Sequence, residues 1–385
     1  MIKLLVDGVF FQLSNSGIAR VWRSVLELLV ADERFQIYFL DRGKAPSISG
    51  IEYIPFPSYL ATNCPADSQL IQDICDYYKI DVFSSTYYTT PISTPMILMV
   101  HDMIPELFNF DLSHKDWMEK MTAICYAQRY LCVSDNTRND LLALYPEIPP
   151  DLVFTAYNGV DHTVFHQHDR VTIDAFRIQY GLNRPYFLFV GSRVQHTGYK
   201  NSGLFFEALA GMSEVQFDVF CVGGEREVEQ EILNKLPAGV RCQRVVLTDE
   251  ELALAYGGAL ALVYPSLYEG FGMPVVEAMA SGCPVITTSH GSLAEAAGDA
   301  ALLISGTSIE EMRSALIQIQ NTNIRDTLRQ KGLAHAQKFH WEVIANKLTA
   351  IAEVLVKESR AGVYDNFFVE WKRLRQIQAN VDYSQ

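Results

Sequence analysis

Short apolar runs alternate along this chain with longer segments whose apolar residues recur every three to four positions. Residues 2–6, 36–40, 51–54, 82–84, 96–100, 131–134 and 153–157 read as the first set of strands, most of them apolar on both faces, as in a parallel sheet. Residues 186–190, 217–222, 245–247, 259–264 and 285–288 read as a second set. Between them, residues 18–30 place Val21, Val25, Leu28 and Leu29 on one helical side, and 67–78, 116–130, 174–180 and 275–280 also read as helices. Strand and helix alternate throughout, which predicts an α/β fold with parallel sheets and ligand-bearing residues just after strands. The last helices run from 341 to about 358 and from 364 to 375.

Length then divides the picture. A chain of 385 residues accommodates two domains, here an N-terminal one over 1–165 and a second over 180–340, with 341–385 returning to the first. The net charge is −14; the first 165 residues hold 11 basic and 20 acidic side chains, the remainder 20 and 25. Neither part is basic, which argues against nucleic acid as a partner and allows at most peripheral membrane contact. No apolar run reaches membrane-spanning length, and the opening MIKLLVDGVFF turns acidic too early for a signal peptide. Seven cysteines without a C-x-x-C pair read as free thiols of a reducing cytoplasm.

Candidate chemistry concentrates in the stretch YPSLYEGFGMPVVEAMASGCP, from Tyr264 to Pro284. Glu269 and Glu277 stand eight positions apart, separated by Gly270, Phe271, Gly272, Met273, Pro274 and two valines. A strand, a glycine-bearing loop and a helix N-terminus suit a phosphate, and carboxylates accept hydrogen bonds from paired sugar hydroxyls. Spacing alone fits a corner with two solvated acids equally well. Three further features follow strands: His101-Asp102, Gly191-Ser192-Arg193 and Lys200-Asn201. Arginine and lysine in a loop suit a diphosphate, and a histidine suits a sugar hydroxyl, although solvated cations and a capping histidine are the plainer readings. His162, His166 and His168 read as an interdomain linker rather than a metal site. No G-x-G-x-x-G follows a strand and no D-x-D occurs, which disfavours NAD or FAD and a metal-held diphosphate.

From Glu269 to Val285 the chain resembles, nearly letter for letter, the E-G-F-G-x-P-x-x-E-A-M-A-x-G-x-P-V pattern of the retaining glycosyltransferases of family 4, also called group 1. VHDMIPE around His101, the NGVD of residues 158–161 and the G-x-R…K-N of Arg193 to Asn201 resemble the same family, with a longer Arg-to-Lys gap here. The resemblance implies the GT-B architecture: two Rossmann-like domains facing each other across a cleft, with a C-terminal helix crossing back to the first. It implies Arg193 and Lys200 on the donor diphosphate, Glu269 and His101 on the donor sugar and Glu277 on the ribose. Gly17 and residues 270–274 would complete the donor loop, Val246, Leu247 and Thr248 would lie near the base, and Arg20 would face the acceptor. Ser16-Gly17 stands where two glycines are usual in the family. The implied reaction is hexose transfer from a nucleotide-sugar, UDP-glucose before GDP-mannose, to a hydroxyl of a polysaccharide or lipid-linked glycan, without metal or other cofactor. The whole chain is most similar to family members of bacterial, including cyanobacterial, envelope or exopolysaccharide clusters. A non-catalytic nucleotide-sugar binder and a sugar-nucleotide epimerase are the competing classes.

Overall fold

A computed structural model describes residues 1–14, 17–60, 64–193, 198–213 and 215–382. The chain folds as two compact units, one of Met1–Gly159 with Trp341–Gln385 and one of Val160–His340. Each is built on parallel strands whose apolar faces are covered by helices.

The first unit carries β1 (Ile2–Asp7), β2 (Phe35–Asp41), β3 (Glu52–Pro55), β4 (Val82–Ser85), β5 (Ile97–Val100), β6 (Arg129–Cys132) and β7 (Val153–Thr155). Their order is β3-β2-β1-β4 and β5-β6-β7, and a parallel bridge between Phe83 and Met96 joins the two sets. The strand order therefore reverses between β1 and β4, the place where sheets of this kind leave room for a ligand. The Gly17–Val30 helix buries Val21, Trp22, Val25, Leu26 and Leu29 and packs against the Trp341–Arg360 helix. The Asp365–Asp382 helix docks on the same unit, where Phe367 and Trp371 lie 5.8 and 5.2 Å from the Tyr126 ring.

The second unit carries β8 (Tyr186–Val190), β9 (Asp218–Val222), β10 (Cys242–Val245), β11 (Ala261–Tyr264), β12 (Val285–Thr288) and β13 (Leu302–Ile304), in the order β10-β9-β8-β11-β12-β13. Its reversal falls between β8 and β11. Phe187, Phe189, Phe205, Phe206 and Phe217 fill the core on one side of this sheet.

Three elements depart from the sequence pattern. The helix expected over 116–130 ends at Tyr126, because Ala127 turns extended and the Gln128 side chain accepts from Met96 N at 2.8 Å, drawing 129–132 into the sheet. The strand expected at 245–247 pairs three residues earlier, Cys242 to Val245, against β9. A five-residue helix, Val9–Leu13, occupies what read as loop. Among the described residues, no helix is long and apolar enough to cross a membrane.

Candidate functional site

The loops leaving β8 and β11 flank the strand reversal of the second unit, and they are stitched together. Leu267 N donates to Tyr199 O at 2.7 Å, and Asn201 Nδ2 donates to Pro265 O at 3.1 Å. This stitching places Lys200 over the opening stretch. Its Nζ donates to Glu269 Oε1 at 2.7 Å and to the Tyr264 hydroxyl at 3.1 Å. Tyr264 in turn donates to the same Glu269 oxygen at 2.8 Å. Burial lowers the Lys200 pKa, but Glu269, Tyr264 and Tyr199 outweigh it, so the ammonium titrates well above the ordinary lysine value. Tyr264 sits fully inside and its hydroxyl stays neutral, pushed up by burial and then by Glu269. One cation, one carboxylate and one neutral hydroxyl thus share a single corner.

The helix of the stretch begins one residue earlier than Pro274. Met273–Ala280 is helical, Gly272 is its N-cap at φ +100°, and Pro274 takes the second helical position. A Cβ on Gly272 would come within 2.9 Å of Leu293 Cδ2, so both conformation and space call for glycine. Ser292 Oγ holds the Glu269 carbonyl at 2.7 Å. The helix closes at Gly282 (φ +74°), where Gly282 N reaches Met279 O and Cys283 N reaches Ala278 O, the paired bonds of a Schellman cap. Glu277, only 3 % exposed, accepts from Tyr256 Oη at 3.3 Å on the Asp249–Gly258 helix. The Phe271 ring is buried and packs 5.4 Å from Phe339, so its side chain belongs to the core rather than to a ligand surface. Thr248 is the N-cap of Asp249–Gly258 in a capping box with Glu251, and Val246 beside it is exposed.

Arg193 requires the main correction. Its side chain is wholly buried, and all three guanidinium nitrogens are committed within the second unit. Nε reaches Glu229 at 3.2 Å, Nη1 reaches Gly223 O at 3.2 Å, and Nη2 reaches the carbonyls of Glu225 and Glu227 at 3.1 and 2.8 Å. The left-handed glycines 223 and 224 turn these carbonyls inward; a Cβ on Gly224 would strike Gly191 O at 2.3 Å. Here Arg193 organises the 223–229 loop instead of presenting its fork to a diphosphate. Residues 194–197, which lengthen the Arg-to-Lys gap, lie outside the described residues, as does Ser16. Gly17 opens its helix, exposed, with Arg20 half-buried one turn on.

His101 leaves β5 in the first unit. Its Nε2 is sealed from solvent and has no hydrogen-bond partner among the described residues. Burial, and then the Lys120 ammonium, lower its pKa to about 3, so the imidazole is neutral at any ordinary pH. Lys120 is fixed by Asp102 O at 3.0 Å and Glu106 at 2.7 Å. At the strand reversal nearby, Arg42 holds Asp7 at 2.7 Å and Asp67 at 2.7 Å, and Thr89 donates to Asp7 at 2.7 Å. Tyr59 donates to Glu119, which with Asp7 makes two buried carboxylates near this one arginine. Burial above all raises Glu119 from 4.5 to about 7. The folded state keeps a proton that the unfolded chain gives up near 4.5. This contribution to stability is therefore full below that pH and is lost as the pH rises through 7. Glu119→Gln should leave stability unchanged near pH 4 and raise it at pH 8, by on the order of 3 kcal/mol. Urea denaturation at the two pH values checks this; equal midpoints of variant and parent at pH 8 would refute the buried-proton account.

The remaining histidines do not form one cluster. The His166 and His168 rings lie 4.2 Å apart and those of His162 and His340 5.0 Å apart, both pairs tilted. All seven cysteines are free, and Cys125 is exposed rather than core.

Two Rossmann-like units of parallel strands, the second with an ammonium–carboxylate corner at its strand reversal, have the make-up of a GT-B glycosyltransferase, the class to which the family profiles assign the chain. The family profile "Glycosyltransferase Family 4" matches residues 16–164, and "Glycosyl transferases group 1" matches 184–322. The chain belongs to the family 4, group 1, glycosyltransferases. It is 27 % identical to the O-antigen chain mannosyltransferase B of Escherichia coli over 222 residues, 56 % of this chain and 58 % of that protein. It is also 27 % identical to the alpha-maltose-1-phosphate synthase of Mycolicibacterium smegmatis over 304 residues, 70 % of this chain and 78 % of the relative. Sucrose-phosphate synthase of Thermosynechococcus elongatus superposes with a TM-score of 0.73 at 18 % identity, over 92 % of this chain and 99 % of its own. HepE of Anabaena, solved with UDP-glucose, superposes with a TM-score of 0.69 at 17 % identity, over 93 % and 100 %.

Proposed function

We propose that this protein is a retaining hexosyltransferase that moves a sugar from a nucleotide-sugar to a hydroxyl of a growing polysaccharide or lipid-linked glycan. UDP-glucose is the favoured donor. The observation that carries the reading is the Lys200–Tyr264–Glu269 corner beside the N-terminus of Met273–Ala280. Breaking a sugar–phosphate bond leaves a diphosphate with added negative charge. Lys200 and the N–H groups at that helix start stabilise it. Glu269, released from Lys200 by the diphosphate, accepts from a donor-sugar hydroxyl, and Glu277 accepts from the ribose. His101, neutral, supplies a hydrogen bond to a sugar hydroxyl, and Arg20 faces the acceptor. No metal is required, because the protein's own cation and helix start carry the charge. The work is done in the cytoplasm, with at most peripheral contact to the membrane.

Melting temperatures measured with UDP, GDP and ADP test the donor. UDP should raise the melting point most, equally in EDTA and in Mg²⁺, and Glu277→Ala should abolish most of the rise. A rise seen only with Mg²⁺ would overturn metal independence. A larger rise with GDP would favour the second reading, GDP-mannose-dependent mannosyl transfer, which the mannosyltransferase relative supports. UDP binding without transfer or hydrolysis of any labelled donor would leave a non-catalytic binder.

A further inference from the structure

The second unit contains another cavity, of about 550 Å³, at the opposite edge of its sheet. Pro185, Leu260 and Gly282 line it; the first two immediately precede β8 and β11, and Gly282 lies in the turn before β12. Lys200 and Glu269 stand on loops that leave the other ends of β8 and β11. Four arginines reach this cavity, in a protein whose net charge is −14. Arg170 and Arg177 are seven residues apart on the Arg170–Gln179 helix, and Arg325 and Arg329 are four apart on Thr322–Ala336. Both spacings bring a pair to one helical face.

These charges are incompletely neutralised. Arg329 pairs with Asp326 at 2.9 Å, and Arg170, largely exposed, approaches Asp174 only to 3.6 Å. Arg177 donates to the carbonyls of Leu182 and Arg184, and Arg325 to those of Ile319 and Gln320 and to the Thr322 hydroxyl. Carbonyls and hydroxyls orient a guanidinium without cancelling its charge. Asp174 is the one acid lining the cavity. An independent observation also points to a ligand: Ser281, 1 % exposed, is a lining residue, and its buried hydroxyl has no partner among the described residues. The buried Nε2 of His168, also in the lining, is in the same position. A buried polar atom left without a partner is costly, and a bound anion would accept from the Ser281 hydroxyl.

We infer that this cavity binds a phosphate group, borne by a small molecule of about sugar-phosphate size, at a site separate from the donor corner. The volume lies within the range of small-molecule sites, and several guanidinium forks from two helices suit the oxygens of a phosphate dianion. The shared chemistry could be met by inorganic phosphate or by a phosphate ester.

Calorimetry on the full chain with inorganic phosphate and, separately, with glucose 6-phosphate tests this at constant ionic strength. Binding is expected with at least one of them, weakened about tenfold by Arg325→Gln and by Arg177→Gln. Since both arginines also hold backbone carbonyls, Ser281→Ala and Arg170→Gln provide variants less exposed to misfolding, and each should weaken binding while leaving the UDP-induced melting shift intact. Tighter binding of the ester assigns a phosphorylated small molecule; equal binding assigns free phosphate. Absence of binding by both ligands overturns the site. So does binding that survives the arginine substitutions but disappears in Lys200→Ala, which would put the anion in the donor corner.

Discussion

Lys200→Ala should lower kcat by about 10²- to 10³-fold, the scale on which loss of one fixed charge-stabilising donor is felt. Among the described residues the lysine is the one cation held against Glu269, at 2.7 Å, and its replacement leaves that carboxylate its bond from Tyr264. In the free protein the ammonium and carboxylate neutralise one another. A donor would separate them, taking the lysine with its diphosphate and the glutamate with its sugar. The loss should therefore fall on kcat as well as on donor affinity, and steady-state kinetics with labelled donor distinguish the two. A variant that transfers at near-normal kcat would remove Lys200 from the chemistry.

Arg193→Ala should instead damage the fold, by about 2–4 kcal/mol, chiefly the cost of leaving buried carbonyls without their donor, since the partly exposed Glu229 can return to water. Its removal leaves Glu229 without its 3.2 Å partner and takes this donor from the Glu225 and Glu227 carbonyls, while Gly223 O keeps Arg244 Nε at 3.3 Å. The urea midpoint should drop steeply, while UDP still raises the melting point of whatever remains folded. An unchanged midpoint with abolished UDP binding would return the guanidinium to the ligand.

The contrast between these two residues marks the limit of what the chain's pattern discloses. Alternating strands and helices were legible because burial on both faces leaves unbroken apolar runs, and the 264–284 stretch was legible because glycine, proline and acid positions follow the backbone's demands. Lys200 and Glu269, 69 positions apart, meet because neighbouring strands deliver both loops to one sheet edge. Arg193 leaves a neighbouring strand too, yet it turns inward. What captures it is the 223–229 loop, and nothing local to Arg193 announces that loop's left-handed glycines. Tyr264 was overlooked because an aromatic at a strand end reads as core; its hydroxyl is the part that matters. The Glu119–Tyr59 contact spans 60 positions and has no local signal. The helix expected to run to 130 failed for a related reason: Gln128 answers to a strand, not to its own neighbours.

The last helices belong to the first unit, and this bears on the order in which the protein is made. A ribosome finishes Val160–His340 before Trp341 appears, so the second unit can close while the first still lacks a wall. Until then the apolar side of the Gly17–Val30 helix and the ring of Tyr126 have no cover from the Trp341–Arg360 and Asp365–Asp382 helices. The nascent chain thus carries an unfinished first unit while Val160–His340 is made, and the Gly17–Val30 helix reaches its native surroundings only after that second unit is complete.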